Sequence, residues 1–512
     1  MIEKYYSGVI EQIYNRIGKE TRNIVMANYS NDFSIENLEV IRRYQSNEDN
    51  VFFAYSEFSY NTLVGAYEPF LDIICNMHRR FIGGSFDDFQ KECGVYYLHR
   101  QVLNSYYETG ECFREETVLL NEVAYEQRRM TMAIADMLKK LSEVKPLMIV
   151  INRFQMASKS SIETIKYLID NPCAHIGIVL GVNAIVKGTD STVEVWDRIV
   201  ESLEDRSAIY YIGSAGPLKN NVKTTNDDEL YITMNFEQSI QEASNIMEFL
   251  DFEQARRGCR IIEHKLKFED AWIDEKSLRR FYMVYARTSV LLGEMSKAIE
   301  LTNEYKALIP ENDSEHYLSL YYFMKGTCYM YQGKLEKAGN SAKSAYDYAV
   351  LAEDDTLIFK AELLSVMIKM SGWYNIFFCV QDIPVSDEII EKLIKHGYRN
   401  HLAHIYIYAY DNSRDVVKQS FYDESLLKHF TKGLELAKEI GNEQLVYDAY
   451  QKTIMLASTS GLNEIAFLYV IRTYEFMKGH GNIYVARVLT SIGYNLSAMG
   501  KNELVDNYYN AA

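Results

Sequence analysis

The chain has 512 residues, a formal charge of −17, 48% hydrophobic and 13% aromatic side chains, and only 26 glycines and 6 prolines. This length predicts two or three domains, and the apolar fraction supplies large cores, which excludes disordered, collagen-like and loop-rich classes and points to a mostly helical protein. The acidic balance is the wrong sign for gripping phosphate backbones or anionic membranes over broad surfaces, so neither is expected as a partner.

Residues 1–18 (MIEKYYSGVIEQIYNRIG) lack a basic segment followed by an apolar one. No window reaches the roughly 18 apolar residues of a membrane span, which predicts a cytoplasmic location. Up to about residue 215, short apolar runs alternate with helix-length segments: 23–27 (NIVMA), 51–55 (VFFAY), 147–151 (LMIVI), 175–180 (HIGIVL) and 208–212 (AIYYI). Continuous apolar strands spaced in this way predict a parallel sheet covered by helices on both faces, an α/β domain. The seven cysteines, at 75, 93, 112, 173, 259, 328 and 379, include no C-x-x-C pair and are odd in number. They read as small core residues rather than as a disulfide framework or a zinc knuckle.

The most informative stretch is residues 146–168, PLMIVINRFQMASKSSIETIKYL. It resembles the Walker B region of the signal-transduction ATPases with numerous domains, bacterial regulators that join an AAA-like nucleotide switch to helical repeats. In that family the strand ends in two acidic residues, followed by a glutamine, an Ala-Asp or similar pair, a serine and a helix ending Tyr-Leu. Gln155, Ala157, Ser161, Tyr167 and Leu168 match that frame, but Asn152 and Arg153 stand where the acids belong. The first acid would hold magnesium through its water shell and the second would polarise the attacking water. Asparagine offers a divalent cation no charge, arginine adds one of the wrong sign, and no Asp or Glu lies between Pro146 and Ser161 to restore the site by a shift of register.

The resemblance places the phosphate loop about 120 residues upstream, after the strand at 23–27. There residues 27–34 (ANYSNDFS) occupy the place of G-x-x-x-x-G-K-[ST]: Ala27 and Asp32 replace the glycines, Phe33 the lysine, and Ser34 alone is retained. A phosphate cradle needs glycines for close backbone approach and a lysine for charge, and Asp32 would repel the phosphates. Gly18-Lys19 is a second candidate, but Glu20 follows it and no strand precedes it. The strand at 175–180 resembles the family's strand ending Gly-Thr-Tyr-Arg, with Gly181 retained and Ala184 where the arginine would meet the γ-phosphate. An unrelated α/β domain and a working ATPase with an unusual site are the alternatives.

A polar break at 219–229 and an unclassified helical stretch follow, to about 275. Beyond it the strand pattern stops and a repeat begins: Gly293 to Ala298 recurs at Gly333 to Ala338, Gly372 to Phe377, Gly461 to Ala466 and Gly500 to Val505. The glycines are 40, 39, 89 and 39 residues apart, so one weak repeat is expected near Asp411-Asn412-Ser413. Each glycine would end a helix in a left-handed conformation, and the residue five later would let the returning helix pack closely. Ala286, Gly293, Ala298 and Pro310, with Gly326, Tyr329 and Gly493 in later copies, resemble tetratricopeptide repeats, with a period near 40 rather than 34.

Three further groups of side chains stand out in the sequence. His396, His401 and His404 could ligate a metal or be surface polar residues. Tyr321, Tyr322, Tyr329 and Tyr331 read as solenoid packing, and Asp87-Asp88 and Asp354-Asp355 as solvated loops. The expected organisation is a degenerate P-loop-like α/β domain at 1–215, a helical connector at 216–275 and an all-α tetratricopeptide-like solenoid at 276–512. No catalytic residue, cofactor or metal is expected. The predicted function is a bacterial-type signalling scaffold that binds a protein or peptide through its repeats and can self-associate. The rivals are an active NTPase switch, and the sensory part of a transcriptional regulator or nucleotide cyclase that binds a small ligand.

Overall fold

The computed structural model describes residues 2–511 except 31–37, 47–49, 60–62, 117, 184–185, 190–191, 214–222, 226–234, 269–272, 313, 376–386, 410–423, 460, 478–488, 491, 495 and 498. It divides into two compact units, Met1–Leu308 and Ile309–Ala512.

The first unit opens with α1 (Ile2–Arg16), β1 (Ile24–Tyr29), α2 (Glu39–Ser46) and β2 (Phe52–Glu57). An all-helical stretch follows, with α3 (Phe70–Met77), α4 (Phe86–Glu92), α5 (Tyr97–Thr109) and α6 (Val123–Val144). The chain then alternates again: β3 (Leu147–Asn152), α7 (Lys159–Asp170), β4 (Ile176–Asn183), β5 (Val186–Thr189), α8 (Val193–Asp205) and β6 (Ile209–Ile212). Five strands form one sheet in the order β2-β3-β4-β1-β6, parallel throughout, while β5 pairs with β7 (Lys223–Thr225) in a small separate ribbon. All five runs read from the sequence are the strands of this sheet, displaced by at most a few residues at their ends.

Strands β3 and β4 are buried at every position, as a sheet with both faces covered requires. On one face α1 brings Tyr6, Val9, Ile10 and Ile13 into a core with Val25, Ala27, Tyr29, Phe53, Met148, Val150 and Val179. Pleating sends the alternate side chains, Ile149, Ile151, Ile178 and Leu180, to the other face, where they are fully buried. Gly177 and Gly181 of β4 let α1 lie close, since a Cβ at Gly177 would stand 2.8 Å from Ile17.

The stretch at 216–275 contains a helical hairpin of the same kind as the repeats. Helices α9 (Phe236–Glu248) and α10 (Phe252–Phe268) pack antiparallel about an elbow at which Leu250 has φ 68°. The hairpin of α11 (Glu275–Leu291) and α12 (Met295–Ala307), turning at Gly293 with φ 77°, packs on it and belongs to the first unit.

The second unit is helical throughout its described residues. It comprises α13 (Ser314–Tyr331), α14 (Leu335–Leu351), α15 (Asp355–Asn375), α16 (Asp387–Lys395) and α17 (Arg399–His404). These are followed by α18 (Glu424–Ile440), α19 (Glu443–Thr459), α20 (Asn463–Met477) and α21 (Asn502–Ala511). Gly333, Gly461 and Gly500 have φ near 70–76° and turn the chain between helices as expected. Gly372 does not: it lies inside α15, whose helix carries on to Asn375. Two further turns use Gly397 and Gly441 in the same conformation, and Glu353 takes it with φ 51° between α14 and α15. The expected weak repeat at Asp411-Asn412-Ser413 lies outside the described residues. The small positions behave as the repeat pattern requires, with Ala286, Ala298, Ala338 and Ala466 fully buried. Gly326 sits where a Cβ would meet both Leu364 and Ser341, which lets α13, α14 and α15 converge. No described helix is long and apolar enough to cross a membrane.

Candidate functional site

The carboxyl edge of a parallel sheet is where an α/β domain collects its ligand-binding groups. Here that edge carries Tyr29 of β1, Glu57 of β2, Asn152 of β3 and Asn183 of β4, with Glu57 in register with Asn152 and Tyr29 with Asn183. The strands thus bring the Walker-B-like end and the strand before the phosphate-loop position to the same edge. The Tyr29 hydroxyl donates a 2.7 Å hydrogen bond to Asn152 Oδ1, and both residues are fully buried.

Other side chains fill the space around this bond. Tyr6 of α1 is wholly buried, and its ring meets Tyr29 edge-on at 6.3 Å. A Cβ at Gly181 would collide with the Tyr6 hydroxyl and stand 2.8 Å from Asn152 Oδ1. Burial, followed by the neighbouring Tyr29, Tyr55 and Glu57, pushes the Tyr6 phenol well above its ordinary value, so it stays protonated. Gln155 Oε1 accepts from the Asn183 backbone N–H at 3.3 Å. Ala27 is fully buried and in register with Gly181.

Arg153 has a left-handed backbone, φ 56° and ψ 38°. Its guanidinium lies 3.1 Å from Glu57 and donates to the Phe58 carbonyl at 3.3 Å. Glu57 also accepts from the Tyr55 hydroxyl. An acid therefore does reach this edge, from β2 rather than β3, and it is engaged by a cation and a phenol. Asp32, Phe33, Ser34 and Ala184 lie outside the described residues. Gly18-Lys19 forms the end of α1, where Gly18 with φ 78° donates to the Ala174 carbonyl at 2.8 Å, a helix stop and not a phosphate loop.

Tyr6, Tyr29 and Glu57 are absent from the motif reading. Tyr29 stands inside the eight residues compared with the phosphate loop and could have been noticed as a bulky side chain there. Tyr6 and Glu57 are distant in sequence and carry no local pattern that marks them.

The other candidates resolve into structure. His401 and His404 are buried on α17, which corrects their reading as surface polar residues, and His396 stacks on Phe359 at 4.5 Å. Among the described residues no group of three or more His, Cys, Asp or Glu side chains could hold a metal ion. Asp354 accepts from the backbone of Thr356 and Leu357 at 3.0 Å, and Asp87 and Asp88 occupy the first turn of α4, so both acidic pairs mark helix starts and not loops. Tyr321 is buried and Tyr322 stacks on Tyr348 at 5.6 Å. Cys75, Cys112, Cys259 and Cys328 are buried and Cys93 and Cys173 half-buried, with Cys379 outside the described residues. Burial raises the Cys75 thiol to about 11 and those of Cys93 and Cys328 to about 12.

Two clefts open elsewhere in the first unit. One, of about 420 Å³, lies between α6, α7 and the α9–α10 elbow, where Arg128, Lys159, Glu163 and Asp251 mix both signs of charge. The other, of about 210 Å³, places Glu68, Asp72 and Glu242 beside Tyr106 and Phe249, and burial together with the two neighbouring carboxylates pushes Glu242 up to about 7.

The molecule is thus an α/β domain with a five-stranded parallel sheet joined to helical repeats. No protein-family model matches the chain, and no curated protein matches it. Among solved structures it is similar to a signal transduction ATPase with numerous domains, carrying a tetratricopeptide repeat sensor, from Pyrococcus horikoshii. That match covers 95% of this chain and 86% of the other, with 12% identity and a TM-score of 0.43. It is also similar to a Rap protein crystallised with competence and sporulation factor, over 54% of this chain and 74% of that one, at 15% identity and TM-score 0.37. The apo form of the quorum sensor NprR from B. thuringiensis matches over 62% and 92%, at 9% identity and TM-score 0.27.

Proposed function

We propose that this chain is a signalling or scaffold protein whose α/β domain is a degenerate, nucleotide-silent relative of the P-loop ATPases and whose helical repeats recognise a protein or peptide. The observation that carries the first half is the buried Tyr29–Asn152 hydrogen bond. A magnesium-nucleotide site keeps an anionic oxygen and open space at this point of the sheet, because the metal and the attacking water both need negative charge beside them. Here the position holds a neutral amide bonded to a phenol, with a second phenol, Tyr6, against it. Glu57, the acid in register with Asn152 on β2, is already paired with Arg153.

Isothermal calorimetry of the full chain with millimolar magnesium-ATP is expected to give no saturable heat. Binding in the micromolar range that is lost in Asn152→Ala would sink the nucleotide-silent reading.

Support for the second half comes from the repeats, in which successive helix pairs offer equivalent faces along the chain, the arrangement that suits recognition of extended segments. Gly333, at φ 71°, fixes one of these turns. Valine there forces a β-branched side chain into the left-handed region, at a cost of about 1–2 kcal/mol, and shifts α14 against α13. A partner captured by pull-down with the wild-type chain is expected to bind Gly333→Val several-fold more weakly. Valine at Gly372, inside α15, imposes no left-handed strain and serves as the comparison. Unchanged partner affinity in Gly333→Val would remove the repeats from the recognition surface.

A further inference from the structure

The α9–α10 elbow, residues 248–254, is held on the α/β domain by buried and half-buried polar groups. Arg114 donates to the Glu248 carbonyl at 2.7 Å, and Gln127 to the Leu250 carbonyl at 2.7 Å. The Gln254 side chain donates to the Val64 carbonyl at 2.9 Å. Lys159 pairs with Glu253 at 2.9 Å. At the centre is Asp251, only 5% exposed: one carboxylate oxygen accepts from the Ser160 backbone N–H at 3.0 Å, the other from the Gln254 N–H at 3.3 Å.

Ser160 lies in the first turn of α7 and Gln254 in the first turn of α10, so one carboxylate satisfies orphan amides of two helices. Phe249 wedges beside it between Tyr67 at 6.2 Å and Tyr106 at 5.4 Å. The two ends of this joint lead to different parts of the unit. On one side, residues 153–158 connect Ser160 to Asn152 through a short 3-10 turn in which Phe154, Met156 and Ala157 are buried. On the other, Glu248 reaches Arg287 of α11 at 2.8 Å, in the first repeat hairpin.

A buried carboxylate is an expensive way to glue two elements together, since apolar packing holds as firmly without desolvating a charge. What a polar joint offers instead is a defined geometry that is either made or lost, which is the property of a switchable contact. We propose that the elbow is a latch: through Asp251 the helical hairpins set the position of the first turn of α7, and with it the segment that leads back to Asn152 at the carboxyl edge of β3. The inference rests on the reading of the repeats as the recognition part only for the direction in which a signal would travel.

Hydrogen exchange of the full chain, followed by mass spectrometry without any ligand or nucleotide, tests the latch independently of that reading. Asp251→Ala removes both acceptors, and amides at 153–161 and 248–255 are expected to exchange faster by on the order of tenfold to a hundredfold, the loss that charged hydrogen bonds carry. Strands β1, β3 and β4 should keep wild-type protection. Asp251→Asn, which retains one acceptor oxygen, should fall between the two and provides the measurement if the alanine variant does not fold. Equal acceleration in the strands would show that Asp251 only adds global stability. Acceleration at 248–255 with 153–161 unchanged, or no acceleration at all, would show that the elbow does not govern the segment after β3.

Discussion

Glu126→Ala is expected to destabilise the first unit by about 1–3 kcal/mol, the loss that follows when a buried hydrogen-bond donor is left without its acceptor. Glu126 of α6 and His99 of α5 are both fully buried, with Nε2 and Oε2 2.6 Å apart. Burial, reinforced by the guanidinium groups of Arg114 and Arg129, holds the imidazole well below its ordinary value, so the bond is a neutral ring N–H donating to a carboxylate. Removing the carboxylate strands that N–H and deprives Arg129, 3.7 Å away, of a counter-charge. The double variant His99→Leu/Glu126→Leu leaves no imidazole N–H unpaired and should recover part of the loss, while Arg129 still lacks the Glu126 carboxylate. Urea denaturation of the full chain, with α5 and α6 followed by hydrogen exchange, decides the matter. A loss below 1 kcal/mol in Glu126→Ala, or a double variant no better than the single one, would contradict this reading.

The second large effect is expected at Gly181. Its backbone lies so close to Tyr6 and Asn152 that an added Cβ must displace both side chains. Gly181→Ala should cost about 2–3 kcal/mol, the upper range for overpacking a core that cannot expand. Since the nearest obstacle is the Tyr6 hydroxyl and not backbone, Tyr6→Phe should return part of that loss when combined with Gly181→Ala. The two changes should therefore be strongly non-additive in a double-mutant cycle. Additive losses would mean that α1 does not fill the space beside Asn152.

The strands were legible because a parallel strand covered on both faces must be apolar at every position, and five such runs stand out in a chain this rich in Tyr, Leu and Ile. The helix turns were legible where glycine supplies the left-handed residue. They were missed where Leu250 and Glu353 take that conformation despite their side chains, because nothing local marks a non-glycine residue for it. Gly372 shows the opposite error: a glycine at the repeat spacing need not end a helix when the helix can absorb it. The hairpin of α9 and α10 escaped notice for the first of these reasons, since its elbow has no glycine.

From the sequence alone it follows that the strand at 147–151 is followed by Asn152 and Arg153, that residues 27–34 contain neither glycine nor lysine, and that helix pairs repeat toward the carboxyl end. Those are statements about which residue occupies which position, and a covalent chain carries them directly. Only the tertiary structure decided what surrounds Asn152: Tyr6 from an N-terminal helix, Tyr29 from β1 and Glu57 turned toward Arg153. It likewise decided that Asp251 would serve two helices at once. Apart from the local bond between Asp251 and Gln254, each of these groups is separated by tens of residues or more from its partner, and the pairings exist because burial excludes competing water and leaves only the groups that packing has brought within reach.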